Sequence, residues 1–223
     1  DVAVANPVAE IIAQFDPQTN HACAALSIGG PELMRYSIVS DFLETEILEL
    51  SYVEYGLDYA DFSIGKFQMK PSFVEQLEAA ICDRPQLSAK YQKLTMYPAG
   101  DDQVIRAERI KRIKSPEYQY LFLEAFYSYC LMTYCHYLED KSLQEVVGFA
   151  GTAYNMGFHI SVDEILQYQS HKNFPFGARY NGDQYAYSSV STEIFKQLIK
   201  SLSKNSFTTY SQDYSYGLAR NYP

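Results

Sequence analysis

In the stretch FSIGKFQMKPSF, Phe62 to Phe73, a single glutamine, Gln68, stands between Phe67 and Met69 at the lip of a helix that Pro71 opens. A glutamine side chain carries both a donor and an acceptor. It can serve a polar ligand or cap the Pro71 helix, and the residues alone leave both readings open. Upstream, Glu32 follows the apolar segment ACAALSI across a Gly29-Gly30-Pro31 break, which sets its side chain at a helix junction among hydrophobic neighbours. Burial raises a carboxyl pKa, and a carboxyl that keeps its proton near neutral pH can act as a general acid. The plainer reading of Glu32 is an acidic residue in a helix's first turn, where the dipole favours it. Glu44, Glu46 and Glu49 share the segment DFLETEILELSYVEY and are further candidates, each equally a polar position on an amphipathic helix. Asp58 and Asp61 fall in the following loop. Tyr154 and Asn155, in GTAYNMG, set a phenol and an amide where a helix runs into Gly157.

The elements that must position these groups are helical almost throughout, since apolar residues recur at helical spacing. PVAEIIAQF and NHACAALSI form two short helices, and Pro31 starts another in the favoured first position. Ser40 caps the helix that Gly56 ends, and Leu57 to Lys70 is loop or short extended structure. PSFVEQLEAAIC and PQLSAKYQKL follow. Asp101 to Lys114 is a basic amphipathic helix whose cluster RAERIKRIK reads as a solvated face. Pro116 to Leu138 is apolar on nearly every side and belongs at the centre of a domain. SLQEVVGFAGTAYNMGF and SVDEILQYQS are helical, FPFGARYNGDQYAYSS is a loop, VSTEIFKQLIKSL is the last helix, and the Tyr-rich tail 205–223 is loosely ordered. No repeat or composition shift divides the chain. The expectation is one all-α domain over residues 1–223.

Composition narrows the function classes. The 223 residues hold 27 acidic and 18 basic side chains, for a formal net charge of −9, which argues against a polyanion such as nucleic acid as partner. Twenty-one tyrosines and 13 phenylalanines with no tryptophan suit a wet groove that contacts sugars or amides, and suit helix packing equally. The four histidines, at 21, 136, 159 and 171, lack ligand spacing, so no metal is expected. Neither a phosphate-cradling G-x-x-x-x-G-K-S/T nor a dinucleotide fingerprint occurs, and no cofactor is implied. No apolar run is long enough to span a membrane. Among the cysteines, Cys130 and Cys135 face different sides of one helix, whereas a Cys23–Cys82 disulfide stays open.

GKFQMKPSF resembles the G-L-M-Q-x-x-P-S/T segment of lytic transglycosylases and goose-type lysozymes, and GTAYNMG resembles their A-A-Y-N-A-G segment. The chain also resembles a bacterial branch whose pattern runs P-E-L-x-R-Y and then F-S-I-G-x-F-Q-M-K-P-S-F. The resemblance covers about residues 20–170. It implies a lysozyme-like helical domain with a glycan-binding cleft, cleaving the MurNAc-GlcNAc β-1,4 bond of peptidoglycan. One glutamate protonates the glycosidic oxygen. In lytic transglycosylases the same carboxylate then takes the proton of the sugar's 6-hydroxyl, whereas in lysozymes water attacks.

The resemblance makes Gln68 and Met69 cleft residues and assigns Tyr154 and Asn155 to substrate binding, orienting the acid and holding an acetamide. The catalytic candidates are Glu32, the glutamate of P-E-L-x-R-Y, and Glu49, which stands sixteen residues before Gly65 and is followed by Leu50-Ser51. Choosing Glu32 makes the helix from Asp41 to Tyr55 an insertion relative to the common pattern. Phe62-Ser63-Ile64 stand where the family carries a small Gly-Ala pair. Asp58 or Asp61 could guide a water, or be ordinary loop aspartates. A substrate of peptidoglycan strands implies a periplasmic or otherwise extracytoplasmic protein whose signal peptide has been removed. Two readings compete with a peptidoglycan glycosidase: a catalytically silent glycan-binding or scaffold protein on the same fold, and an unrelated helical interaction protein.

Overall fold

The structure, a computed structural model, describes residues 4–36, 43–177, 179 and 181–205. Ser40 and the tail from 206 onward lie outside the described residues, as do the side chains of Glu44 and Glu46.

The chain is all-α in class. Among the described residues twelve helices run in the order α1 (Ala5–Phe15), α2 (Asn20–Gly29), α3 (Pro31–Tyr36), α4 (Leu43–Tyr55), α5 (Pro71–Cys82), α6 (Pro85–Thr95), α7 (Asp102–Lys114), α8 (Pro116–Thr133), α9 (Cys135–Leu138), α10 (Leu143–Met156), α11 (Val162–Tyr168) and α12 (Tyr187–Asn205). Between α11 and α12, the strands β1 (Lys172–Phe174) and β2 (Tyr185–Ala186) pair antiparallel. Local chemistry explains most boundaries. Pro31, Pro71, Pro85 and Pro116 each open a helix, where a fixed φ helps and a missing N–H costs nothing. Thr19 and Asp101 accept the N–H of Ala22 and Val104, and Ser142–Glu145 and Ser161–Glu164 form capping boxes.

Two boundaries differ from the sequence reading. The apolar run expected to continue from Pro116 to Leu138 breaks at Tyr134, whose φ and ψ of −108° and 21° leave the helix. Its hydroxyl is drawn to the carbonyl of Ile160 at 2.8 Å. The last helix starts at Tyr187, inside the segment read as loop, because Tyr187, Val190, Ile194 and Leu198 all bury on one face.

One hydrophobic cluster extends from Val4 to Leu198, with α8 at its centre through Phe122, Leu123, Phe126 and Cys130. The second half of α2 is wholly buried and packs on α8, α10 and α12. Close approach there depends on Gly29: a Cβ would lie 2.8 Å from Leu123 Cδ2 and 3.1 Å from the Phe67 ring. The α2–α3 junction, and Glu32 with it, is thereby pressed into the core.

The basic helix α7 corrects the sequence reading, since two of its arginines are not solvated. Arg109 is buried at 8 % exposure and donates to both oxygens of Glu78, to Glu75 and to the Tyr52 hydroxyl. Tyr97 also donates to Glu78. Arg112, buried likewise, donates to the carbonyls of Lys93, Leu94 and Met96 and lies over the Tyr97 ring. Charge at these positions is tolerated because every arginine is paired or hydrogen-bonded. A count of basic residues cannot show which face turns inward.

All four cysteines are free thiols, Cys23 and Cys130 buried, Cys82 and Cys135 exposed, so the Cys23–Cys82 bond does not form. Among the described residues no helix is long and apolar enough to cross a membrane.

Candidate active site

The turn around Gln68 is built before anything else at the site. Ile64 and Met69 exchange backbone hydrogen bonds, Ile64 N to Met69 O at 2.8 Å and Met69 N to Ile64 O at 3.1 Å, closing a four-residue loop. Phe67 and Met69 are both buried and anchor it. Gly65 takes a φ of +69°, and a side chain there would meet Gln119 Nε2 at 1.8 Å. Gln119 reaches in from α8, donating to the carbonyls of Ile64 at 3.2 Å and Ile113 at 2.7 Å. Gln68 itself adopts a φ of +51°, uncommon for a residue with a Cβ. Its Nε2 donates to the Gly65 carbonyl at 2.9 Å. It does not cap the Pro71 helix. That end is served by Asp61, which accepts from Ser72 N at 3.0 Å and Ser72 Oγ at 2.9 Å.

Tyr154 joins this turn to the second motif. From near the end of α10 its hydroxyl donates to the Phe67 carbonyl at 2.7 Å. The ring packs edge-on against Phe73 and Phe126, with centroids 5.2 and 5.8 Å away. Gly157 then ends α10 with a φ of +105°.

Glu32 closes the arrangement from the α2–α3 junction. It is 5 % exposed. Burial pushes its carboxyl up to about 7, against the pull of the Arg35 guanidinium and the Tyr187 hydroxyl, both of which favour the charged form. Arg35 Nη1 lies 3.3 Å from Glu32 Oε2. That contact is an ion pair rather than a well-formed hydrogen bond. Glu32 Oε2 and Tyr187 Oη are both buried without a hydrogen-bond partner of good geometry, even though Tyr187 is close enough to act on the carboxyl. Burial and the Glu32 charge hold the phenols of Tyr154 and Tyr187 neutral, far above the ordinary tyrosine range.

Glu32, Arg35, Gln68 and Tyr154 line one pocket of about 410 Å³. Of the residues singled out in the sequence, Glu32, Gln68, Met69, Tyr154 and Asn155 all border it. Glu49 does not. It sits on α4 and pairs with Lys114 of α7 at 3.1 Å. Asp61 borders the pocket with both carboxylate oxygens engaged by Ser72 and Lys70 3.6 Å away, while Asp58 is exposed outside it. A larger cavity of about 640 Å³ lies between α10 and α12. Its carboxylates are already committed, Glu145 to its capping box and Glu193 to Gln197 and Lys196. Among the described residues no cluster of His, Cys, Asp and Glu could hold a metal ion.

Two residues at the site escaped the sequence reading. Arg35 was visible one helical turn after Glu32, the spacing at which side chains meet. Tyr187 had a weaker signal, the helical spacing it shares with Val190 and Ile194.

Comparison of the chain with known protein families, with curated proteins and with solved structures finds no match. The chemistry of the pocket therefore carries the functional reading.

A buried carboxyl balanced between its two protonation states near pH 7 can give and take a proton in one catalytic cycle. An amide side chain, Gln68, and an exposed one, Asn155, stand at the same pocket and can hold hydroxyls or amides.

Proposed function

We propose that the protein is a peptidoglycan-cleaving glycosidase of the lytic-transglycosylase type, acting on the MurNAc-GlcNAc β-1,4 bond with Glu32 as the single acid/base. The observation that carries this reading is Glu32 itself: a buried carboxyl whose Oε2 lacks a well-formed hydrogen bond, at a pocket shared with Gln68, Tyr154 and Asn155. In the first step the protonated carboxyl gives its proton to the glycosidic oxygen. The bond from that oxygen to C1 of the muramic acid breaks, and the GlcNAc leaves with a free 4-hydroxyl. In the second step the carboxylate takes the proton of the 6-hydroxyl, whose oxygen bonds to C1. The product is a 1,6-anhydro end, and Glu32 regains its proton without consuming water. Gln68 and Asn155 hold the sugar's polar groups, and Tyr154 braces the turn that carries Gln68. The engagement of Asp61 by Ser72 favours this one-carboxylate route over a hydrolase that guides water with a second acid. Such a substrate puts the activity outside the cytoplasm, in a periplasm or beyond.

One observation favours a second reading. Arg35 beside Glu32 draws the carboxyl toward its charged form, which would suit a catalytically silent glycan-binding protein on the same fold.

Digestion of purified peptidoglycan, with mass spectrometry of the soluble fragments, tests both readings. Fragments ending in 1,6-anhydro-muramic acid are expected, lost in Glu32→Gln and kept in Glu49→Gln. Removing a general acid costs roughly 10²–10⁴-fold in rate. Reducing ends instead would mark a muramidase. Binding of glycan strands without cleavage would favour the silent reading.

A further inference from the structure

Arg35 touches two parts of the molecule at once. On one side its guanidinium faces Glu32, one helical turn back. On the other, Nε donates to the carbonyl of Pro175 at 3.1 Å, and the guanidinium lies over the Phe174 ring, 5.5 Å from its centre. Phe174 is itself buried and edge-on to Tyr187 at 5.3 Å. The chain just after β1 thus seats Arg35, which borders the pocket with a side chain still 34 % exposed. A planar guanidinium suits this double engagement, whereas a lysine would keep the charge and lose the fork.

We propose that Arg35 is a positioning residue for the cleavage reaction, seated by Phe174 and Pro175, and that it governs when Glu32 holds its proton. The inference rests on the reading of Glu32 as the acid.

Burial favours neutral Glu32 and Arg35 favours the carboxylate. Other groups face the same point without replacing that charge. Tyr187 of α12 helps the carboxylate through its hydroxyl, and Tyr154 of α10 presents a neutral phenol. Asp61 and Lys70, across the pocket, offset each other at 3.6 Å. Glu10 of α1 is paired with Lys66 at 2.6 Å, and the titratable groups of α2, His21 and Cys23, lie toward its far end. A bound ligand that drew the guanidinium away from Glu32 would leave the Tyr187 hydroxyl to oppose burial without that charge, and so favour the protonated acid.

The test is direct NMR titration of the Glu32 carboxyl in 13C-glutamate-labelled protein, with Glu32→Gln assigning the resonance. Arg35→Met is expected to move the midpoint up by about one unit or more, as loss of an adjacent opposite charge does. Phe174→Leu should move it up by less, and Arg35→Lys should fall between wild type and Arg35→Met. The alkaline limb of the peptidoglycan cleavage profile should move with it. An unmoved or lowered midpoint in Arg35→Met overturns the proposal whatever the activity. If Arg35→Met does not fold, unmoved midpoints in both Arg35→Lys and Phe174→Leu overturn it. Midpoints that shift as expected, with no fragments released at any pH, would support control of Glu32 by Arg35 and overturn the cleavage reading instead.

Discussion

The hydroxyl of Tyr154 donates to the carbonyl of Phe67 across 87 positions of sequence, at 2.7 Å, in the buried interior. That bond ties the turn bearing Gln68 to the end of α10, so the two halves of the pocket are set by one contact. Tyr154→Phe removes the donor and leaves the Phe67 carbonyl unsatisfied, a loss of about 1–3 kcal/mol. Urea unfolding should show the lower midpoint, and under the proposed glycosidase function cleavage should fall with it because the Gln68 turn loses its brace.

Stability should vary with pH through Glu32. Its folded value, about 7, lies above the ordinary value of 4.5, so the folded state binds the proton more tightly than the unfolded chain does. The contribution is whole below about pH 4.5 and is lost as pH rises through about 7, roughly 3 kcal/mol in all. His21 works in the opposite sense. Burial and Lys90 lower it from 6.5 to about 4, so its contribution is present above 6.5 and lost as pH falls through 4. The difference between wild type and Glu32→Gln isolates the first effect. The variant should gain relative stability as pH rises from about 4.5 through about 7, measured as the urea midpoint at each pH.

Gly65→Ala should destabilise by roughly 2–4 kcal/mol, from a φ that suits glycine and from displacement of the Gln119 amide. A second change, Gln119→Ala, frees the space. The double variant should then lose less than the two single losses added together, which a thermal-melt cycle would show. Additive losses would mean that the two residues do not compete for the same space.

Arg109, one of two interior arginines of α7, should matter more than the surface residue Lys114. Arg109→Ala leaves Glu78 buried without its counter-charge, a cost of about 3–5 kcal/mol. Lys114→Ala removes an exposed cation, with an expected change of ~1 kcal/mol or less. Equal effects on the denaturation midpoint would contradict the buried network.

Much of the helical framework was legible in the chain itself. Helix starts are local events: Pro31, Pro71, Pro85 and Pro116 have φ set for a first turn, and Asp101, Ser142 and Ser161 carry their caps with them. The grouping of Gln68 and Met69 with Tyr154 and Asn155 was an expectation of the family resemblance, not of local chemistry, and the four do border one pocket. What the sequence could not decide was which glutamate stands with them. Glu32 and Glu49 are both acidic residues on helices, and a residue's own neighbours do not reveal its distance from a turn further along the chain. Tertiary packing made that choice. Gly29 lets α2 press against Leu123 and Phe67, which buries Glu32 at the pocket, while α4 turns Glu49 toward Lys114. The same long-range packing turned Arg109 inward and brought Tyr187 and the Phe174–Pro175 segment to Glu32 and Arg35. Local propensity sets where helices begin and end. Burial, and so the proton affinity of a carboxyl, is settled only when distant helices close around it.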